Sequence, residues 1–326
     1  MNPLITVILP AFNRRDTIMR AIESVFRQTY RPLEVILVDD CSTDGTSDLV
    51  SSVRFPEPIR VIKLLRNEGP AGARNAGIRE ASGQYVAFLD SDDWWLPTKI
   101  EKQVQVISTA SPLGRTVVYT QAHIIRRFEK IIRPVRRQQS ESLAEYIFCN
   151  GGFIAQDSVM MPVQLVKSTA YDPNLRNNED WDLFFRLEQQ GVRFVLIEEP
   201  LTVVVDLPVP GRASAPQNPE RLLALLARHK GRISERAYSA LRAKTAPLLR
   251  STAPIEAAGA ILSAYSKDAI GPFMALSLIG RLVCPELREV AYRVRGFVAG
   301  ATWARYDRKW RRTPLPGNWD HPKGSA

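Results

Sequence analysis

The sequence has little cysteine, little histidine and no long apolar run. Its three cysteines, Cys41, Cys149 and Cys284, lie far apart and lack the spacing of metal ligands. A sparse and odd set of this kind excludes a disulfide framework and favours a reducing compartment. No stretch reaches the roughly 18 consecutive apolar residues of a membrane-spanning helix. We expect no signal peptide, because the run Leu4–Leu9 is short and ends at Pro10. These absences predict a cytoplasmic protein without membrane spans.

Negative charge is scarce at the C-terminal end. Residues 217–326 carry 19 Lys+Arg against 8 Asp+Glu, whereas residues 1–216 carry 25 against 26, so the net charge of +10 resides in the last third. This asymmetry indicates an anionic partner, either a membrane surface or a nucleic acid, unless the charges are only solvated helix faces. The basic helices lack interleaved aromatic residues and a recognisable nucleic-acid module, so we expect no nucleic acid.

The first 110 residues alternate short apolar runs with helical patterns. Such alternation predicts a parallel sheet covered by helices on both faces. The predicted strands are Leu4–Leu9, Leu33–Val38, Ile59–Leu65 and Tyr85–Leu89, and the predicted helices between them are Asp16–Arg27, Gly45–Val53 and Pro70–Ala81.

The next segment, residues 111–178, is less regular in pattern. It carries a basic cluster made of Arg126, Arg127, Lys130, Arg133, Arg136 and Arg137. After it, Glu179–Gln190 is predicted to be a helix with acidic residues in its first turn and Gly191 as its C′ residue.

A Pro-rich stretch at 207–219 marks the end of this pattern. Beyond it, Pro285–Ala299 places apolar residues on one helical stripe. Ile270–Val283 is apolar nearly all round but too short to span a membrane, so it is either a buried helix or an interfacial membrane helix. We therefore predict three parts: a first domain at 1–215, a basic and largely helical region at 216–312, and a disordered tail at 313–326.

The most informative chemical feature is Asp90-Ser91-Asp92, directly after the predicted strand Tyr85–Leu89. Two carboxylates one residue apart suit a divalent cation that faces a diphosphate, because Mg²⁺ and Mn²⁺ prefer hard oxygen ligands. In open α/β sheets, ligands bind at the carboxyl ends of the strands. Alone, however, an acidic pair after a strand is more often a turn and helix cap.

Three further polar segments follow the other predicted strands. They are Pro10-Ala11-Phe12-Asn13-Arg14, the segment Val38–Thr46 and the segment Arg66–Gly77. All four segments fall at the same edge of the predicted sheet, so their side chains converge on one crevice. This convergence makes the acidic pair specific.

Together these segments resemble the family 2 glycosyltransferases, which are nucleotide-sugar-dependent enzymes with the GT-A fold. The resemblance covers about residues 4–206. It implies an α/β fold with a Rossmann-like, mostly parallel sheet and helices on both faces, followed in this chain by a C-terminal helical region.

The resemblance also implies roles for individual residues in nucleotide-sugar binding. Asp40 accepts a hydrogen bond from the uracil ring. The residues implied to form one wall of the base pocket are Pro10, Ala11 and Phe12, and those implied to lie near the nucleotide are Asn67, Arg74 and Asn75. Asp90-Ser91-Asp92 is the DxD motif: Asp92 is the direct ligand of Mn²⁺ or Mg²⁺, and Asp90 lies nearer the ribose or donor sugar.

Sugar transfer also requires a base. As the nucleoside diphosphate leaves, the sugar becomes oxocarbenium-like and an acceptor hydroxyl attacks it from the opposite face, while a general base takes the hydroxyl proton. Asn178–Leu183 matches the family's Glu-Asp motif at the start of an acceptor-side helix. By this resemblance Asp180 is the base, and Glu179 and Trp181 contact the acceptor. Without the other motifs, these acids are explained by the helix dipole.

Some residues near the motifs have a structural interpretation. We expect Asp39 to satisfy loop amides, and Asp44-Gly45 to form a turn and cap. Trp94 and Trp95 fit either stacking on a sugar or packing under a loop. The family often has a His or Arg after the strand that follows the Glu-Asp helix; this chain has Val205–Ser214, with no His and with Arg212 as the substitute.

These observations predict an inverting glycosyltransferase that moves a sugar from a UDP-sugar to an acceptor hydroxyl, with Mn²⁺ or Mg²⁺. The basic regions favour a glycan or lipid-linked acceptor of surface polysaccharide synthesis, at an anionic membrane surface on the cytoplasmic side. One alternative is a sugar-1-phosphate nucleotidyltransferase, which predicts a Gly-rich phosphate loop where Pro10-Ala11-Phe12-Asn13 stands. Another is a non-catalytic membrane-assembly subunit, which predicts the loss of Asp92 or Asp180.

Overall fold

A nine-stranded sheet organises the chain, in the order β3-β2-β1-β4-β8-β6-β9-β5 with β7 paired to β6. The computed structural model describes residues 2–110, 114–126, 130–134, 140–175, 177–206 and 219–284. Its strands are β1 (Ile5–Ala11), β2 (Leu33–Asp39), β3 (Ile59–Lys63), β4 (Tyr85–Phe88), β5 (Trp94–Trp95), β6 (Thr116–Ile125), β7 (Lys130–Arg133), β8 (Val159–Pro162) and β9 (Arg193–Val205).

Helices cover both faces of the sheet and form the C-terminal region. They are α1 (Ile18–Phe26), α2 (Thr46–Ser52), α3 (Gly69–Glu80), α4 (Lys99–Thr109), α5 (Leu143–Phe148), α6 (Val163–Thr169), α7 (Glu179–Gln189), α8 (Pro219–His229), α9 (Glu235–Thr245), α10 (Pro254–Ser266) and α11 (Pro272–Val283). The end of α7 follows the predicted pattern, because Gly191 takes a φ of 79° just beyond it.

The N-terminal half confirms the predicted strand–helix alternation. Strands β1 to β4 pair in parallel, and every residue of β1 is buried. Since successive side chains of a strand point to opposite faces, Ile8 packs with α3 on one face, while Val7 and Leu9 pack with α1 on the other. A continuous apolar run is what a strand covered on both faces requires.

The second half of the sheet departs from the prediction. Residues 111–178, interpreted as less regular, contribute β6, β7 and β8. Strand β8 runs antiparallel to β4, and β6 runs antiparallel to β8 but parallel to β9. The sheet is therefore mixed: β1 to β4 pair in parallel, as predicted, and so do β6 and β9, whereas β5, β7 and β8 pair antiparallel with their neighbours. Antiparallel pairing brings the residues just before β8 beside the end of β4.

The C-terminal helices join the core of the first part. Leu225 of α8, Leu241 of α9 and Ile261 of α10 belong to the same apolar cluster as Ile8. The predicted boundary between 215 and 216, the segment Pro285–Ala299 and the tail at 313–326 lie outside the described residues, as do Arg127, Arg136, Arg137 and Arg212. The division into domains stays a prediction.

Helix α11 corrects one interpretation of the sequence. It buries Ala275 and Leu278, but Phe273 is 87% exposed and Leu276 is 67% exposed. The buried-helix reading of Ile270–Val283 is therefore wrong, because only one stripe of the helix is covered. Within the described ranges, no helix is long and apolar enough to cross a membrane.

Candidate active site

A cavity of about 590 Å³ opens at the carboxyl ends of β1, β2 and β4. The first turns of α3 and α7 and the segment 153–157 complete its wall. The residues around it are Pro10, Ala11, Phe12, Arg14, Asp40, Asn67, Gly69, Pro70, Ala73, Arg74, Asp90, Ser91, Asp92, Asp93, Phe153, Ile154, Ala155, Gln156, Asp157, Asn177, Asn178, Glu179, Asp180, Trp181 and Val204. The four motifs predicted to converge therefore line one cavity.

Asp40 organises one end of this cavity. Its carboxylate accepts hydrogen bonds from the backbone N–H groups of Glu68, at 2.7 Å, and Gly69, at 2.8 Å. Helix α3 has no side-chain cap of its own, so the carboxylate of Asp40, which follows β2, accepts the N–H groups at the start of the helix. The Asn67 side chain donates to the Asp40 carbonyl at 3.3 Å. Asp40 is thus a hydrogen-bonded part of the wall, and its own N–H donates to the Ala11 carbonyl at 2.8 Å.

Arg74 links the two acidic motifs. Its Nη2 donates to Asp90 Oδ1 at 2.7 Å, and its Nη1 donates to Glu179 Oε1 at 2.6 Å. Burial alone would lower the pKa of Arg74, but the carboxylates of Asp90 and Glu179 outweigh it and raise that pKa well above the usual value. The guanidinium is therefore a permanent cation between the DxD segment and the start of α7.

Three carboxyl groups lie close together after the end of β4. Oxygen atoms of Asp90, Asp93 and Asp157 lie within 4.8 Å of one another, and Asp157 accepts the backbone N–H of Asp90. Burial, followed by the charge of Asp90, raises the pKa of Asp157 to about 7. Burial likewise raises the pKa of Asp93, whose Oδ1 accepts the Val205 N–H at 2.7 Å.

Asp92, the predicted metal ligand, lines the cavity outside that group of three. Its Oδ2 lies 4.0 Å from Arg14 Nε, and its carbonyl accepts a hydrogen bond from Arg20 Nη2 at 2.6 Å. The donor set at this end, carboxylate oxygens from several residues, fits the hard-ligand preference of Mg²⁺ or Mn²⁺. Asp90 and Asp92 are the two acids of this set that the sequence singled out, and Asp92 as the direct ligand remains a prediction.

Asp180 lines the same cavity from the first turn of α7. The helix begins after Asn178, which has a left-handed φ of 57° and provides no side-chain cap. Asp180 Oδ1 accepts the N–H of Trp181 at 2.9 Å. Burial and the neighbouring charge of Glu179 raise the pKa of Asp180 to about 7. A carboxyl group with a pKa near neutrality suits proton transfer at physiological pH.

The two predicted acceptor residues both have protein partners. Glu179 is engaged by Arg74, so its carboxylate holds the active-site framework in this structure. Trp181 lines the cavity and packs edge-to-face on Phe148, with ring centroids 5.3 Å apart. Their contacts with an acceptor remain predictions.

Asn75 is hydrogen-bonded to the segment before α7. Its amide accepts the Tyr171 N–H and donates to the Tyr171 carbonyl, both at 2.9 Å. It does not line the cavity, because α3 turns this side chain toward the segment before α7. Asn75 therefore joins α3 to the segment before α7, and its place near the nucleotide remains a prediction.

The structural interpretations of neighbouring residues agree with the contacts. Asp39 accepts the Ser42 N–H at 2.9 Å, and Asp44 accepts the N–H groups of Arg15 and Thr46. Trp94 and Trp95 are fully buried, which favours packing over sugar stacking.

Sequence reasoning missed several cavity residues. Asp157 and Gln156 reach the site through the antiparallel pairing of β4 with β8, and no local pattern marks either residue. Arg14 stood in a quoted motif without a role; it lines the cavity, and its Nη1 donates to the Asn13 carbonyl at 3.0 Å. Asp93 directly follows Asp92 in the sequence and was given no role.

Behind the cavity, α7 is fixed to the C-terminal region. Buried Asp182 accepts hydrogen bonds from Arg228 Nε at 2.5 Å and from Arg186 Nε at 2.8 Å, and it lies 3.1 Å from His229 Nε2. Burial would raise the pKa of Asp182, but the His229 hydrogen bond and the two arginines lower it to about 2. Asp182 is therefore a charged anchor two residues after Asp180.

Sequence comparison places relatives of this chain among bacterial enzymes of glycan synthesis. A family model described as "Glycosyl transferase family 2" matches residues 6–160. The amylovoran biosynthesis glycosyltransferase AmsB of Erwinia amylovora is 33% identical over 205 residues, which is 60% of this chain and 67% of AmsB. WfaP of Escherichia coli, a UDP-Glc:α-D-GlcNAc-diphosphoundecaprenol β-1,3-glucosyltransferase, is 34% identical over 194 residues, which is 58% of this chain and 72% of WfaP.

Solved structures share the fold at low sequence identity. Staphylococcus aureus TarS 1-349 in complex with UDP-GlcNAc has a TM-score of 0.58 and 19% identity, over 79% of each chain. The mannosyltransferase PcManGT from Pyrobaculum calidifontis, in complex with GDP-Man and Mn²⁺, has a TM-score of 0.56 and 19% identity, over 93% of this chain and 88% of that one. These similarities show the GT-A fold.

Proposed function

Because the chain belongs to glycosyl transferase family 2, we propose that its cavity binds a UDP-sugar and that the enzyme transfers the sugar to an acceptor hydroxyl with inversion. One observation carries this proposal: Arg74 holds Asp90 and Glu179 on a single guanidinium, at 2.7 and 2.6 Å. The acids proposed to face the diphosphate and the acids proposed to face the acceptor are thereby fixed around one cavity, as transfer between two substrates requires.

The donor is proposed to lie with its base against Pro10, Ala11, Phe12 and Asp40. Its diphosphate then points to the segment Asp90-Ser91-Asp92, where Asp92 would hold Mn²⁺ or Mg²⁺ directly and Asp90 would lie nearer the ribose or donor sugar. The cation supplies charge stabilisation for the departing nucleoside diphosphate. Arg14, whose side chain lies beside Asp92, provides a second positive group at this end.

Asp180 is proposed to take the proton of the acceptor hydroxyl. With a pKa of about 7, Asp180 is partly ionised at neutral pH, and its carboxylate is a stronger base than that of an ordinary aspartate. A hydroxyl activated in this way attacks the face of the sugar opposite the leaving diphosphate. A single displacement of this geometry inverts the anomeric centre.

We propose a glycan or lipid-linked acceptor in surface polysaccharide synthesis, at the cytoplasmic face of the membrane. AmsB and WfaP carry such activities in their names, and residues 217–326 contain the cationic excess. Of the ten large apolar side chains that are exposed in the described residues, seven lie on α10 and α11. Exposed apolar side chains and positive charge together favour an anionic lipid surface.

Binding calorimetry tests the donor site. UDP and GDP are titrated with and without Mn²⁺ into the wild type, Asp92→Ala and Asp48→Ala, the last being a control on an exposed acid that pairs with exposed Lys63. We expect Mn²⁺-dependent UDP binding that Asp92→Ala loses and Asp48→Ala retains. Binding of GDP alone would replace UDP as the donor nucleotide, and binding of neither would overturn the donor site.

Vesicle flotation tests the membrane proposal separately. Vesicles of phosphatidylcholine with phosphatidylglycerol are mixed with the wild type, with Phe273→Ser/Leu276→Ser, and with Leu65→Ser as a control on an exposed apolar residue elsewhere. We expect the double variant to float less and Leu65→Ser to float like the wild type. Equal flotation of all three proteins, or none, contradicts lipid contact through α11.

A further inference from the structure

Gln156 differs from the other buried glutamines of the described residues. Gln28 donates to the carbonyls of Ser24 and Leu96 and accepts the Ile100 N–H. Its amide is therefore satisfied at both ends, as buried amides usually are.

Gln103 is satisfied in the same way. Its Nε2 donates to the carbonyls of Val118 and Ser158, at 2.9 and 2.8 Å, and its Oε1 accepts from Lys99 Nζ at 2.8 Å. Gln156 is only 5% exposed, yet neither Nε2 nor Oε1 has a hydrogen-bond partner. Desolvating an amide without partners is unfavourable, so we infer that the Gln156 amide forms hydrogen bonds with a ligand.

The position of Gln156 indicates which ligand. Gln156 lines the cavity, and the next residue, Asp157, accepts the backbone N–H of Asp90 in the DxD segment. A donor sugar must lie between the diphosphate at that segment and the base Asp180, which lines the same cavity. A sugar hydroxyl both donates and accepts hydrogen bonds, which matches the N–H and C=O of an amide.

The backbone of Gln156 is held firmly. Residues Gln156–Ser158 form a 3₁₀ turn in which the Ser158 N–H bonds to the Ala155 carbonyl at 3.0 Å. The Asp157 carbonyl accepts from Trp95 Nε1 at 2.8 Å. Both amide atoms of Gln156 are shielded from solvent, so a ligand in the cavity can bind them only if the side chain rotates to another staggered conformer.

We propose that the Gln156 carboxamide binds a hydroxyl group of the donor sugar and contributes to the choice of sugar. This inference rests on the proposed function, because it assumes a UDP-sugar in the cavity. It predicts that Gln156 recognises the sugar and leaves recognition of the nucleotide unchanged.

The test compares UDP with UDP-glucose and UDP-GlcNAc, in the presence of Mn²⁺, by calorimetry on the wild type and Gln156→Met. Methionine has a similar length but no hydrogen-bonding amide. We expect UDP to bind both proteins equally and at least one UDP-sugar to bind the variant about five- to tenfold more weakly, the loss of one hydrogen bond. Gln105→Met, on an exposed residue of α4, is the matched control and should change neither affinity.

Thermal unfolding of the same proteins separates the proposal from a structural role. Gln156→Met should unfold at a higher temperature, because it removes a buried amide that has no partner. A lower unfolding temperature together with unchanged UDP-sugar binding would overturn the proposal and indicate a structural amide. If Gln156→Met is poorly folded, Gln156→Glu, which keeps the size but replaces the N–H donor with a second acceptor oxygen, should show the same selective loss.

The two proposals fail in different ways. If the wild type binds no UDP, the donor assignment fails and the role of Gln156 fails with it. If the wild type binds UDP and a UDP-sugar, and Gln156→Met binds both with wild-type affinities, only the role of Gln156 is overturned.

Discussion

Arg74 donates from Nη1 to Glu179 Oε1 at 2.6 Å, although the two residues are 105 positions apart in the sequence. The same guanidinium binds Asp90 at 2.7 Å. Helix α3 thereby joins the end of β4 to the start of α7, and the side chains of Arg74 and Glu179 are nearly withdrawn from solvent. This one cation therefore connects the two acidic motifs that line the cavity.

Replacing Arg74 should therefore damage both stability and activity. In Arg74→Met, the carboxylates of Asp90 and Glu179 lose their buried counter-ion, and we expect the free energy of unfolding to fall by about 3 kcal/mol. Arg74→Lys keeps the charge but cannot bind two carboxylates through a planar fork. It should therefore be more stable than Arg74→Met, yet still form UDP more slowly than the wild type. Denaturant unfolding and a UDP-release assay measure the two effects.

Arg66→Met is the control for this pair of variants, since Arg66 is an exposed arginine in the same polar segment. It should change the free energy of unfolding by less than about 0.5 kcal/mol. If Arg74→Met is as stable and as active as Arg66→Met, the linking role of Arg74 is wrong.

The rate of transfer should rise with pH because Asp180 must be ionised to act as the base. Burial, Glu179 and Asp90 raise its pKa to about 7, while Arg74 acts in the opposite direction. We expect kcat/KM to increase with pH through a midpoint near 7. Asp180→Asn should remove activity at every pH, and a flat profile between pH 5.5 and 8 would contradict the assignment.

The same residue makes a prediction about stability. The pKa of Asp180 is raised from 3.8 to about 7 in the fold, so the folded protein binds a proton there that the unfolded chain releases. The stabilisation is complete below pH 3.8 and is lost as the pH rises through 7. Asp180→Asn should therefore unfold at a higher temperature than the wild type at pH 8, with the difference shrinking toward pH 4.5. If Asp180→Asn unfolds above the wild type by the same margin at pH 4.5 as at pH 8, the raised pKa of Asp180 does not explain the difference.

The stability that Asp182 contributes should depend on pH in the opposite direction from that of Asp180. Its pKa is lowered to about 2, so its contribution is present above pH 3.8 and is lost as the pH falls through 2. At pH 7, Asp182→Asn leaves Arg186 and Arg228 without their shared carboxylate and should lower the free energy of unfolding by about 3 kcal/mol. Urea unfolding measures this, with Asp268→Asn, an exposed acid 4.0 Å from Arg236, as the control that should change little.

The N-terminal half of the fold followed from the sequence because its signals are local. Strand β1 is buried on both faces, so its apolar run identifies it without knowledge of its partners. Asp90 and Asp180 were found because each follows or begins a recognisable element. The contact of Asn75 with Tyr171 could not be predicted, because the two residues lie 96 positions apart and no local pattern encodes that contact.

Gln156 was missed for a related reason. It reaches the cavity only because β8 pairs antiparallel with β4, with Ala87 opposite Met160. A pairing between strands about 70 residues apart is decided by how the apolar faces of the helices and sheet fit together, which a single sequence does not display. Sites assembled from neighbouring strand ends are therefore easier to predict than sites completed by a returning strand.

The contact between α3 and β1 gives a prediction about packing. Gly77 lies on α3 over β1, where an added Cβ would come within 2.6 Å of Ile8 Cγ2. Alanine normally stabilises a helix interior by up to about 1 kcal/mol relative to glycine. Here Ile8 is fully buried and cannot withdraw, so overpacking should outweigh that gain, and Gly77→Ala should lower the free energy of unfolding by about 1–2 kcal/mol.

Gly259→Ala in α10 is the control, because the added Cβ meets no atom within 4 Å and should stabilise the protein. Thermal unfolding of the two variants should thus shift in opposite directions; shifts of the same sign would mean that α3 does not pack this closely on the strand that positions Pro10 and Ala11.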